Sequence, residues 1–144
     1  MRGCSCRGTA GFAHVSCLAE QAKILVAEHN HTLSAANNYA VSLIDLSRFE
    51  EIKSLMRKTM PVARRVLGES DETMLKMRWT YADALYDDPG ATLDDLHEAV
   101  TTLEDTERIT RRVLGSAHPL FGMIERDLHK ARAVLRARET LPGS

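Results

Sequence analysis

The feature that most constrains this chain of 144 residues is a pentapeptide, Arg-Arg-Val-Leu-Gly, that occurs twice and ends at Gly68 and at Gly115. Glycine readily takes the left-handed backbone conformation that ends a helix, and arginines in a last turn lie favourably at the negative end of the helix dipole. Each copy therefore predicts the C-terminal end of a helix. Because the pentapeptide recurs, a larger structural unit is expected to recur with it.

Two amphipathic helices precede each pentapeptide. In the first unit, apolar residues recur at helical spacing before and after a short turn at residues 45–48. In the second unit the turn lies at residues 87–90, and Thr92 with Asp95 forms a capping-box pattern at the next helix start. The apolar stripes are expected to form the core. They include Leu33, Tyr39, Ala40, Leu43, Leu46, Met56, Leu75, Tyr81, Ala82, Leu85, Leu103 and Val113.

The two units differ in length at one place. Tyr39-Ala40 matches Tyr81-Ala82 at an offset of 42, whereas the two pentapeptides are 47 residues apart. The five extra residues fall in the second turn, where a helical repeat tolerates an insertion. The pattern predicts an all-α, antiparallel helix-turn-helix solenoid.

The segment TLSAANNYAVSLIDLSRFEEIKSLMRKTMPVARRVLGES, at residues 32–70, resembles the tetratricopeptide repeat in the form found in kinesin light chains. The resemblance extends over about residues 31–138. It implies two tetratricopeptide-like repeats, at 29–68 and 69–115, a C-terminal capping helix at 116–138 and a tail at 139–144. Because such arrays usually need at least about three units for stability, self-association is a further expectation.

The resemblance also implies a function. In this family, the first helix of each pair lines a groove that binds a peptide or a partner helix, so the chain is expected to be a protein-interaction module. An asparagine in the groove can hold a peptide backbone through its amide, and a groove tryptophan would be a strong anchor. The implied groove residues are Ser34, Asn37, Asn38, Val41 and Ile44, and then Lys76, Trp79, Asp83 and Tyr86.

The first 28 residues form a separate segment, expected to be either disordered or helical from about residue 15. Its Cys-x-Cys and His-x-x-Cys elements supply Cys4, Cys6, His14 and Cys17. Thiolate and imidazole groups at this density suit tetrahedral zinc. The stretch resembles the middle of a variant RING finger, a zinc module of ubiquitin ligases. The resemblance implies an alternative function, a zinc-binding module with the repeats as substrate platform, although no cysteine follows Cys17.

Composition and missing motifs exclude other classes. A net charge of −1 favours neither nucleic acid nor an acidic membrane surface, and no apolar run is long enough to span a bilayer. Three cysteines argue against a disulfide framework, so a cytoplasmic location is expected. The acid pairs Asp87-Asp88 and Asp94-Asp95 lie at a turn and a helix start, and no catalytic signature accompanies them. The chain is therefore predicted not to be an enzyme and, zinc aside, to need no cofactor.

Overall fold

The structure is a computed structural model that describes residues 15–141, with side chains described from residue 29 onward. These residues form helices and turns without any strand, which confirms the predicted all-α class. The helices are α1 (Val15–Asp45), α2 (Phe49–Leu67), α3 (Glu72–Asp87), α4 (Leu93–Val113) and α5 (Pro119–Thr140).

The helices stack as a helical-repeat solenoid. Each helix packs against the next one along the chain, and α3 also contacts both α1 and α5. The odd-numbered helices therefore form one row, while α2 packs against α1 and α3 and α4 packs against α3 and α5. The helix α1 runs without a break through residue 29, where the first repeat was predicted to begin.

The helix ends follow the local chemistry of the sequence. The Thr92 hydroxyl accepts a hydrogen bond from Asp95 N, and the Asp95 carboxylate accepts one from Thr92 N, both at 3.1 Å, so the predicted capping box is confirmed. At α5, Nδ1 of His118 accepts from Leu120 N at 3.1 Å. Gly68 and Gly115 have φ values of 85° and 86°, which confirms both as helix stops.

These glycines give a stability prediction with a matched control. An alanine side chain is strained at positive φ, so Gly68→Ala is expected to lower the free energy of unfolding by about 1–2 kcal/mol. Gly122 lies inside α5 with nothing within 4 Å of an added Cβ. There the same substitution is expected to raise the free energy of unfolding by up to about 1 kcal/mol. Urea unfolding of both variants checks the opposite signs, and a loss of stability in both would contradict the assignment.

The core lies where the row of odd-numbered helices packs against α2 and α4. The small alanines Ala40 and Ala82 and the bulkier Met56 and Leu103 are all completely buried, as predicted. Small residues let the paired helices approach, and the larger side chains opposite fill the space between them.

Three members of the predicted core are exposed instead. Tyr39 is 55% exposed, whereas its repeat counterpart Tyr81 is only 6% exposed, and Leu46 and Val113 are also exposed. The physical reason for the difference between the tyrosines is position in the stack. Tyr81 is covered by α2, whose Arg57 guanidinium lies 6.0 Å from the ring centroid. Among the described residues, no helix packs on α1 in the place that α2 takes on α3.

None of the helices in the described part of the chain combines the length and the apolar character needed to cross a bilayer.

Candidate functional site

The predicted groove residues lie on one face of α1 and α3, here called the inner face. Their spacing of three or four residues places them along one side of each helix. The structure sorts them into two clusters, one between α1 and α3 and one between α3 and α5. Val41 is exposed and Ile44 half-buried, and neither lines a cavity with the others.

Between α1 and α3 lies a cavity of about 180 Å³, here called the α1–α3 cavity. Its lining brings together four of the predicted residues and one that was not predicted. The lining residues are Ser34, Asn37, Asn38, Lys76 and Thr73. All five side chains are polar, so the cavity suits a hydrogen-bonding ligand.

A small network fixes one wall of this cavity. The Asn30 carbonyl oxygen Oδ1 accepts hydrogen bonds from Ser34 Oγ at 3.3 Å and from Thr73 Oγ1 at 3.0 Å, which joins α1 to α3. The backbone N–H of Thr73 donates to Asp71 Oδ1 at 2.8 Å, within the N-cap of α3. Asn30 and Thr73 were not predicted from the sequence. They are 43 residues apart along the chain, and their hydrogen bond forms only because α1 packs against α3.

Asn37 is the unusual member of the cavity. Asn37 is only 8% exposed to solvent. Within the part of the chain whose side chains are described, no donor bonds to its Oδ1 atom. A buried acceptor left without a donor costs about 1–3 kcal/mol, so a ligand N–H at this position would be favoured. The nearby Lys76 is half-exposed and forms an ion pair with Glu72 at 3.0 Å.

The second cluster joins α3 to α5. The Trp79 indole Nε1 donates to Asp127 Oδ2 at 2.7 Å, and its half-buried ring packs against the core. The other Asp127 oxygen accepts from Arg126 Nε at 3.2 Å and lies 3.5 Å from Lys130 Nζ. The indole N–H therefore has a partner inside the protein, and the role of Trp79 as a ligand anchor stays a prediction.

Asp83 lies in the same cluster, and its carboxyl is strongly perturbed. Burial, followed by the negative charges of Asp127 and Asp87, raises the pKa of Asp83 to about 8, although a hydrogen bond from Tyr86 lowers it. Burial, followed by the negative charges of Asp83, Asp127 and Asp87, also raises the pKa of Tyr86. Asp127 could not be singled out in the sequence, because its importance comes only from facing Trp79 and Asp83.

A larger hollow shares Arg126 and Lys130 with the α3–α5 cluster. It measures about 960 Å³, lies between α4 and α5, and is lined mainly by charged side chains. Those charges largely satisfy each other, for example through Arg132 Nη2 to Glu104 Oε2 at 2.7 Å and through the Arg111–Glu107 ion pair. Because its charges are already paired and the hollow is open, the smaller α1–α3 cavity is the better candidate site.

The predicted zinc ligands are only partly covered by the structure. Cys4, Cys6 and His14 lie outside the described residues, and Cys17 lies in the part of α1 whose side chains are not described. Within the described part, no group of three or more histidine, cysteine or acidic side chains could hold a metal ion. Zinc binding by the N-terminal segment stays a prediction.

Comparison with known proteins identifies one part of the chain. The chain matches no curated protein and no solved structure. Residues 32–72 match the family model described as the tetratricopeptide repeat. That segment contains the end of α1, all of α2 and the start of α3. This segment is therefore similar to a tetratricopeptide repeat, in agreement with the paired helices that it spans.

Proposed function

We propose that the chain is a non-catalytic interaction module that binds a peptide or a partner helix on its inner face. Tetratricopeptide repeats generally mediate protein–protein interaction, and residues 32–72 match that repeat. The likeness of this segment to the kinesin-light-chain form belongs to the same proposal, as does a cytoplasmic location.

The observation that carries the proposal is the buried Oδ1 atom of Asn37. An acceptor that is removed from water without a donor is a standing cost to the folded chain. Asn37 is one of the residues that line the α1–α3 cavity, where Ser34 and Asn38 add further hydrogen-bonding groups. A ligand that brings a backbone N–H to Asn37 would remove the cost, which favours an extended peptide segment.

The two clusters of the inner face are expected to contribute differently. The α3–α5 cluster is held closed by the bond between Trp79 and Asp127. Asn37 Oδ1 and Asp83 Oδ1 are both buried without a partner among the described residues, but the α1–α3 cluster also encloses a cavity with the cation of Lys76 at its edge. We therefore place the main peptide contact between α1 and α3, with Trp79, Asp83 and Tyr86 supporting α5 beside it.

A peptide library displayed on phage and selected on the full chain supplies the ligand for a test. Replacing Asn37 with alanine is expected to weaken a selected peptide about 10- to 100-fold, because the buried contact to its backbone is lost. Ser42→Ala is the matched control: the residue is exposed on the same helix and does not line the cavity, and the change should alter affinity less than about threefold. Affinities would be measured by isothermal titration calorimetry. Equal affinities of the two variants would contradict the assigned site.

A further inference from the structure

An arginine of α3 is buried with its guanidinium incompletely paired. Arg78 is only 8% exposed to solvent. Its Nε atom is shielded from solvent, and no acceptor among the residues with described side chains bonds to it. The carboxylate oxygen Oδ2 of Asp105 lies 3.9 Å from Arg78 Nη2, which is beyond hydrogen-bond distance. Because a guanidinium is always charged and carries five N–H donors, its burial in this state is costly.

Two carboxylates act on Arg78, and each is already paired with another arginine. Asp105 forms a close ion pair with Arg108, three residues further along α4. Glu69 follows the end of α2, and its Oε1 atom lies 3.1 Å from Arg64 Nε. Burial lowers the pKa of Arg78, the charges of Glu69 and Asp105 raise it, and the charges of Arg64 and Arg108 lower it. All four neighbours therefore lie within electrostatic range of the buried guanidinium.

These five side chains are here called the Arg78 cluster. The three arginines carry three positive charges, and Glu69 and Asp105 carry two negative charges. Since each carboxylate is closest to Arg64 or to Arg108, the unbalanced positive charge lies at Arg78.

The Arg78 cluster is open to solvent at its rim. The side chains of Arg64, Glu69 and Arg108 are exposed, and that of Asp105 is partly exposed. Because Asp105 lies beside Arg78 Nη2, a small anion that approaches this rim can reach the buried guanidinium.

The number and placement of the arginines favour a tetrahedral anion. A carboxylate is planar and pairs edge-on with one guanidinium, whereas the oxygens of a phosphate group point in several directions. A phosphate group can therefore accept hydrogen bonds from arginines of separate helices, which here are α2, α3 and α4.

We propose that the Arg78 cluster binds a phosphate group, which accepts hydrogen bonds from Arg78 and bridges it to Arg64 and Arg108. The bound anion balances the positive charge that Glu69 and Asp105 leave over. The cluster shares no residue with the α1–α3 cavity or with the α3–α5 cluster, so the inference does not depend on peptide binding at the inner face.

The test titrates the full chain with inorganic phosphate at constant ionic strength and follows the arginine Nε–H signals by NMR. The Arg78 signal is expected to show the largest shift. Arg78→Lys keeps the charge but loses the planar fork, so it should weaken phosphate binding about tenfold or more. The affinity of each variant is measured from the backbone amides of residues 64–69. The control is Arg136→Met, which removes an exposed arginine of α5 and should leave the affinity unchanged.

Thermal unfolding supplies a second measurement that a purely structural arginine would not affect. Phosphate should raise the Tm of the wild-type chain and of Arg136→Met, because it binds the folded state. It should not raise the Tm of Arg78→Met, in which the buried charge is absent.

Three results would overturn the inference. They are an Arg78 signal that phosphate leaves unmoved, an equal shift of that signal with acetate at the same ionic strength, and equal stabilisation of Arg78→Met and the wild-type chain by phosphate.

A capped tripeptide of glycine, phosphoserine and glycine identifies the source of the phosphate group once binding is measured. Binding that is tighter than that of inorganic phosphate assigns the site to a phosphorylated partner chain. Equal or weaker binding assigns the site to the free ion. The same tripeptide with unmodified serine is the control and should not bind.

Discussion

Replacing Asp83 with asparagine is expected to remove most of the pH dependence of stability between about pH 5 and pH 8. Burial beside Asp127 and Asp87 raises the pKa of the Asp83 carboxyl from 3.8 to about 8. Between these two values the folded chain holds a proton on Asp83 that the unfolded chain releases. The contribution of Asp83 to stability is therefore greatest at pH values below its pKa in the unfolded chain. It falls as the pH rises toward the pKa of Asp83 in the folded chain, and it is constant at higher pH.

One proton corresponds to about 1.4 kcal/mol of unfolding free energy per pH unit. The wild-type chain is expected to lose roughly this much per unit in the window, and Asp83→Asn to lose much less. At pH 7 the free energy of unfolding of Asp83→Asn should be about 2–3 kcal/mol higher than that of the wild-type chain. The gain is smaller than the full pKa shift implies, because the buried asparagine amide also needs hydrogen-bond partners. Urea unfolding at half-unit pH steps measures both slopes.

A second variant separates Asp83 from the other carboxylates of the cluster. The hydrogen bond from Tyr86 lowers the pKa of Asp83, so Tyr86→Phe should extend the fall in stability to higher pH. Burial and the charge of Asp127 also raise the pKa of Asp87, which contributes a slope of the same sign in every variant that retains it. If the stability of Asp83→Asn changed with pH as steeply as that of the wild-type chain, Asp83 would not be the source of the pH dependence.

Replacing Lys53 with methionine is expected to lower the free energy of unfolding by about 2–4 kcal/mol. The Lys53 side chain is only 6% exposed, and its Nζ atom lies 2.9 Å from Glu50, 3.0 Å from Asp88 and 3.9 Å from Asp95. Asp88 lies in the turn before α4 and Asp95 in its first turn. The single lysine therefore joins α2 to the entrance of α4, and its removal leaves two largely buried carboxylates without their cation.

Lys58 supplies the matched control, because it lies on the same helix but is exposed. Lys58→Met should change stability by no more than about 0.5 kcal/mol. Adding Asp88→Asn to Lys53→Met should recover part of the loss, because one unpaired carboxylate is removed. Equal stability of the Lys53 and Lys58 variants in urea unfolding would show that the ion cluster does not join the two repeats.

The helices of this fold could be predicted from local features of the sequence. Gly68 and Gly115 end helices through their own backbone conformation, and Thr92 with Asp95 begins α4, so these features need no tertiary contact. Core alanines at matching repeat positions were also predictable. The exposure of Tyr39 could not be predicted, because Tyr39 and Tyr81 have the same local sequence pattern. Tyr81 is covered by α2, whereas no described helix takes the equivalent place on α1.

The polar contacts of the site were less predictable than the fold. Asn37 could be placed on a helix face, but its buried, unpartnered oxygen depends on how closely α3 approaches α1. The partners Asn30 with Thr73 and Trp79 with Asp127 are separated by 43 and 48 residues, so no short pattern connects them. The perturbed pKa of Asp83 likewise requires α5 to bring Asp127 next to it.

The measurement that tests the central proposal most directly is an amide NMR map of the full chain titrated with a library-selected peptide. The account predicts that the largest shift changes fall on the lining of the α1–α3 cavity, led by the side-chain amide of Asn37 and the backbone near Lys76. Changes centred instead on the charged hollow between α4 and α5, around Arg111 and Arg132, would contradict it.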